Sequence, residues 1–221
     1  MSAPVDRLQE RVVDASEPLA DIMPSAITLA MMLRHRNTAS WLRSEFEGYD
    51  QAAELPGYRH DVNGHIVARS PQYGWIPAPI DRHQLRQFGH LDLRDDVPGL
   101  EQTCLNCKKG TGHRISLPGD QLLELQHKIN LSAELAINIS RSTYCQLLKT
   151  IRGSLYLWTS AILEAGLSGD HNAFSQDEKE KVACLDNPDR FWREAMASVD
   201  DLPVPGVREA GFLERMFGRT G

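Results

Sequence analysis

Cys104-Leu105-Asn106-Cys107 is a C-x2-C pair with His113 close behind it. Thiolates and imidazoles at such spacing hold zinc, but a closed structural site takes four ligands, usually from two such pairs. This chain has one pair, so no metal is expected. A redox dithiol would call for a βαβ context that the flanking residues lack. Cys145 and Cys184 stand apart from the pair and from each other, so reduced thiols are expected, with Cys145 facing neighbouring helical side chains. Asp92, Asp95 and Asp96 form a small acidic cluster. A nuclease centre would need such carboxylates to converge on a divalent cation. With no partner motif in view, a solvated loop is the simpler reading. His60, His65 and His113 lie near predicted strands, without an HExxH or HxH grouping, and read as surface histidines. Lys108-Lys109-Gly110-Thr111-Gly112 is basic and Gly-containing, yet it is not a P-loop and reads as a surface turn. No cofactor is implied.

The elements that would position these residues follow from periodicity. Residues 4–15 predict a helix with Val5, Leu8, Val12 and Val13 on one face. A second helix buries Ile22, Ala26, Leu29, Ala30 and Leu33, with Pro24 marking a kink or a fresh start. Arg34, His35 and Arg36 end it as cations near a helix C-terminus. Asn37 or Thr38 caps a third helix that turns Trp41, Leu42 and Phe46 inward and stops at Gly48. Residues 54–58 predict a type II turn with Pro56 and Gly57 at its centre. Asn63-Gly64 predicts a hairpin between residues 58–62 and 65–69, and Val62, Ile66 and Ala68 share its packed side. An edge strand at 73–76 follows, then a capping box of Asp81 with Gln84, with Leu85 and Phe88 inward. A short helix follows Asp96, with a strand at 114–117. Leu122, Leu123, Leu125 and Ile129 line a helix over 120–130, and a strand covers 135–139. A long helix to about residue 165 presents Leu147, Ile151, Leu155, Trp158, Ile162 and Leu163. Two shorter helices, near 175–185 and 188–198, come next. The last segment places Val207, Ala210, Leu213, Met216 and Phe217 on one helical face.

The stretch over residues 24–59 carries a resemblance. An apolar helix, then Trp41-Leu42, Glu45, Gly48-Tyr49 and Leu55-Pro56-Gly57-Tyr58-Arg59, resembles the AbiTii family in order and spacing. Phe46-Glu47 departs from it, since the family more often has leucine and asparagine before that glycine. A second match lies at Leu147-Leu148-Lys149-Thr150-Ile151-Arg152 and the apolar helix ending in Leu163-Glu164. The resemblance covers residues 1–166 and implies a role in bacterial abortive infection, a defence against phage. It singles out Trp41, Glu45, Tyr49, Tyr58 and Arg59. The aromatics read first as core, with Arg59 pairing Glu45 or Glu47, and second as ligand contacts.

Composition narrows the classes. The chain has 221 residues, 41% hydrophobic and 24% charged, with a net charge of −6. No apolar run is long enough to cross a bilayer and no leader pattern opens the sequence, so a cytoplasmic protein away from membranes is expected. Residues 167–221 carry a net of −4 and residues 1–166 a net of −2. That linear split makes nucleic acid an unexpected partner, although Arg34, Arg36 and Arg43 could form a local basic patch. The expectation is an α+β fold. A helical body over 1–166 packs on a small, mainly antiparallel sheet, and an acidic helical extension follows over 167–221. The function expected is a protein-interaction or assembly module of phage defence, engaging a partner or another copy through Val207, Leu213, Met216 and Phe217. The alternative is a toxin-like nuclease or nucleotide hydrolase.

Overall fold

The computed structural model describes residues 3–107, 112–167 and 173–207. The architecture is α+β, as expected, and the chain divides into two units. Unit 1 comprises residues 1–53, 95–106 and 145–221, and unit 2 comprises residues 54–94 and 107–144.

Unit 1 is built from helices. Helix α1 (Pro4–Val13) buries Val5, Leu8 and Val12, while Val13 stays exposed. Helix α2 (Leu19–Met32) buries Leu19, Ile22, Met23, Ala26, Leu29 and Ala30. It runs through Pro24 as one helix, so the fresh start expected there does not occur. Helix α3 (Arg36–Glu47) packs on α2, and α5 (Val97–Asn106) packs on both. Helix α7 (Arg141–Glu164), which begins in unit 2, lines unit 1 with Leu147, Leu148, Ile151, Leu155, Trp158 and Ile162, all buried. Helices α8 (Gln176–Val182) and α9 (Pro188–Ser198) contribute Val182, Phe191 and Trp192, while Met196 remains exposed. Apolar side chains at helical spacing explain this unit.

Two charged side chains of unit 1 are drawn inward to serve backbone. Glu101 on α5 accepts from the first two amides of α2, Leu19 N at 2.7 Å and Ala20 N at 3.1 Å. The first amides of a helix have no partner within it, and a carboxylate there also meets the positive end of the helix dipole. Arg152 on α7 is buried and donates to the carbonyls of Asp14 and Glu17 in the loop before α2. Burial raises the Glu101 pKa, opposed by the two amides and by the Arg152 charge.

Unit 2 carries the sheet. Strands β2 (His65–Ser70), β3 (Gly74–Pro77), β5 (Gly112–Ser116) and β6 (Leu135–Ser140) form a four-stranded antiparallel sheet in the order β3-β2-β6-β5. Strands β1 (Val62–Asn63) and β4 (His90–Leu91) make a separate antiparallel pair. Asn63-Gly64 therefore does not turn a hairpin; it passes the chain from one sheet to the other. Gly64 is needed for closeness instead, because an added Cβ would lie 2.5 Å from Ile137 Cγ2. Helices α4 (Arg82–Phe88) and α6 (Gly119–Ile129) supply Phe88 and Leu125 to the core, beside Ile66, Ala68, Leu135, Ile137 and Ile139. The Asp81–Gln84 capping box forms as expected. Leu123 is exposed rather than inward, and Leu122, Ile129 and Leu85 are half-buried. The turn near Pro56 also differs. Arg59 N bonds Pro56 O at 2.9 Å, which puts Gly57 and Tyr58 at its centre. Gly57 has no positive φ, so this is not a type II turn.

The cysteine expectation is corrected. Cys104 on α5 and Cys145 on α7 are joined, with their Cα atoms 6.2 Å apart, within the range a disulfide bridges. They lie 41 residues apart in sequence, a pairing that spacing alone does not reveal. Cys107 and Cys184 are free thiols. Alkylation of the denatured, unreduced protein is expected to label two of its four cysteines; labelling of all four would show that no bond exists. Glu101→Ala is expected to cost about 2–4 kcal/mol, since it strips two helix amides of their acceptor and Arg152 of its counter-charge. Chemical denaturation reads this directly, and an unchanged midpoint would refute the role given to Glu101.

Candidate functional site

The joint between α2 and α3 concentrates the unusual features of unit 1. Helix α2 closes with a Schellman arrangement: Arg34 N bonds Met31 O at 3.1 Å and His35 N bonds Ala30 O at 2.8 Å. That closure needs a left-handed residue, normally glycine. Here it is Arg34, at φ 62°, a conformation that costs an L side chain roughly 1–2 kcal/mol. The chain then enters α3 within one residue.

His35 sits at that entry and is only 1% exposed. Its Nδ1 accepts from Trp158 Nε1 at 3.1 Å, so the proton of the neutral ring rests on Nε2. Nε2 is buried without a hydrogen bond of sound geometry. Burial lowers the His35 pKa. The Asp186 carboxylate opposes this, as does the Val182 carbonyl, which acts from nearby without reaching good geometry for Nε2. His35 is therefore not the helix-terminal cation that its position suggests. Asp186 caps α3 from 148 residues away: its carboxylate accepts from Thr38 N at 2.8 Å, Asn37 N at 3.1 Å and Thr38 Oγ1 at 3.0 Å. Asn37 and Thr38 receive the cap rather than provide it. Arg34, Arg36 and Arg43 are exposed around this joint.

The residues singled out by their motif fall in both units. In unit 1, Glu45 is fully buried and accepts from Tyr49 Oη at 2.6 Å. Trp41, Phe46 and Tyr49 are half-buried, less enclosed than expected, because Leu42 and Glu45 take the inward positions of α3. In unit 2, Tyr58 is buried, and Arg59 is fully buried, with Nη1 donating to Leu93 O at 3.0 Å and its carbonyl accepting from Leu93 N at 2.9 Å.

The acidic and histidine candidates have local duties. Asp92 accepts from Asp61 N at 3.1 Å and pairs with Arg94 at 3.3 Å, with His60 at 3.9 Å. Asp96 accepts from Gly99 N at the start of α5. His65 and His113 occupy opposite sides of the sheet, since His65 pairs with Asn138 and His113 with Ile139. His113 lies edge-on to Tyr144. Among the described residues no three His, Cys, Asp or Glu side chains form a metal-holding group. Val207 is half-buried, and Leu213, Met216 and Phe217 lie outside the described residues.

The AbiTii family model matches residues 5–185 of the 221. The chain belongs to the AbiTii family. No curated protein and no solved structure matches it. The matched span contains the α2–α3 joint, Trp158 and Val182, and it ends one residue short of Asp186. No helix among the described residues of this AbiTii chain is long and apolar enough to cross a membrane.

Sequence reasoning missed His35, Trp158 and Asp186 as a group. Helical spacing puts Trp158 on the core face of its helix, but nothing in linear spacing joins it to the other two. Because the folded-state pKa of His35 is lowered, the neutral ring contributes stability in full above its usual 6.5. That contribution is lost as pH falls through the lowered value. The wild-type protein should lose stability between pH 7 and 5 more steeply than His35→Gln, by up to about 1.4 kcal/mol per pH unit for one proton. Urea melts at stepped pH measure this. Parallel profiles would refute the buried neutral histidine.

Proposed function

We propose that this AbiTii protein is a component of bacterial abortive-infection defence against phage, working in the cytoplasm as a protein-interaction or assembly module. The family match over residues 5–185 is the observation that carries the defence role. The module reading draws support from unit 1. A cleft of about 320 Å³ opens between α1 and α2, lined by Arg7, Leu8, Arg11, Thr28, Leu29 and Met32 among others. On α2, Met31 is 56% exposed. Apolar side chains beside arginines are the composition that interfaces favour.

The contact element in this reading belongs to the acidic extension, residues 167–221. Val204 is buried, which anchors the chain just before the segment carrying Val207, Leu213, Met216 and Phe217. The spacing of these side chains suits one helical face, and an isolated helix of about that length is marginal alone and gains stability by covering a groove. Deleting residues 206–221 should leave the melting temperature within a few degrees while abolishing plaque reduction in cells and lowering the apparent size on gel filtration. A truncated protein that still protects cells and elutes unchanged would refute the tail as the contact element.

A further inference from the structure

The two units divide the charge of the chain as well as its structure. Unit 2 holds ten Lys or Arg against seven Asp or Glu, a net of +3, and six of the eight histidines. The rest of the chain holds 14 against 23, a net of −9. The total of −6 conceals a basic sheet unit inside an acidic protein. A division at residue 166 hides this contrast, because unit 2 lies between segments of unit 1.

The four-stranded sheet places its two strand arginines, Arg69 and Arg114, on one side. Ile66, Ala68, Leu135, Ile137 and Ile139 are buried on the other. Residues paired across antiparallel strands share a side, so the register sets out the open face in rows. Arg114, Asn138 and His65 form one row; Ser116, Ala136, Val67 and Pro77 form the next; Arg69 and Trp75 stand in a third. Arg114, His65, Arg69 and Ser116 are exposed, and Trp75 is half-buried. Arg114 Cζ lies 5.4 Å from the centroid of the Trp75 ring. The two start on opposite edge strands, and the row between them holds Ala136, which is 3% exposed, and Val67. Glu134 at the margin is matched by Arg69 at 2.9 Å.

We infer that this open face of unit 2 binds single-stranded nucleic acid. A broad sheet bearing an aromatic ring, guanidinium planes and a histidine offers bases a stacking platform and phosphates their counter-charge. A duplex hides its base faces and would use only the cations. An acidic protein surface would likewise engage the arginines and leave the ring without a role. The inference stands apart from the defence reading, since it rests on the register, the ring contact and the charge of the unit.

Fluorescence anisotropy of the full-length protein with a labelled dT12 and rU12 at 50 mM salt tests it. Micromolar binding to at least one oligonucleotide is expected, weakening as salt rises, with a duplex of the same length bound at least about tenfold more weakly. Trp75→Ala and Arg114→Glu should each weaken binding about tenfold or more. Arg190→Glu, an exposed change in unit 1, should leave it unaltered. Circular dichroism melts identify a variant that has lost its fold, and Arg114→Glu, at an exposed position, serves if Trp75→Ala has. No binding up to 100 µM, equal binding of duplex, or indifference to both folded variants would overturn the proposal. So would a face whose variants disturb self-association on gel filtration while oligonucleotides fail to bind.

Discussion

Three helix starts and loops of unit 1 depend on polar side chains that arrive from far along the chain. Glu101 satisfies the first amides of α2, Asp186 those of α3, and Arg152 the carbonyls of the loop before α2. A buried amide or carbonyl left unpaired costs about 1–3 kcal/mol, and α2 and α3 supply no side-chain caps of their own. The apolar faces can bring the helices together, and these three groups satisfy backbone at their ends. The α2–α3 joint, with its left-handed Arg34 and buried His35, stands on that arrangement.

The two units solve different problems. Unit 1 is acidic and uses half-buried carboxylates, Glu101 and Asp186, to fix helix ends. Unit 2 is basic and uses a conventional apolar core, with Phe88 and Leu125 from α4 and α6, to hold a sheet whose other side is open. Arg59 is a fully buried charged side chain of this unit, bonded to Leu93 through both side chain and backbone. One chain therefore combines an acidic helical unit with a basic sheet unit.

Much of the element order was legible because it follows local rules. The 3.6-residue spacing marked α1, α2, α7 and α9, alternation at Leu135, Ile137 and Ile139 marked the central strand, and Asp81 with Gln84 marked a cap. Gly48, at φ 89°, ends α3 where a residue without a Cβ was expected. The misreadings share one cause, which is that tertiary partners override local signals. Asn63-Gly64 has hairpin chemistry, but Val62 pairs with Leu91 rather than with its near neighbours. His35 follows an arginine at a helix end, yet Trp158 encloses it and burial keeps it neutral. Cys145 seemed solitary along the chain because α5 and α7 meet only in the fold. The basic face of the sheet escaped notice because Arg114 and Trp75 lie on opposite edge strands and meet only through the pairing of β5, β6, β2 and β3.

Native-state hydrogen exchange resolved at single amides tests the distant capping most directly. Leu19, Ala20, Asn37 and Thr38 occupy first-turn positions that ordinarily exchange fast. Asp120 and Gln121, at the start of α6, lack any side-chain cap and provide the internal reference. The account predicts that the four capped amides exchange only on sub-global or global opening, orders of magnitude slower than the reference pair. Exchange of Leu19 and Thr38 at the rate of Asp120 and Gln121 would contradict it.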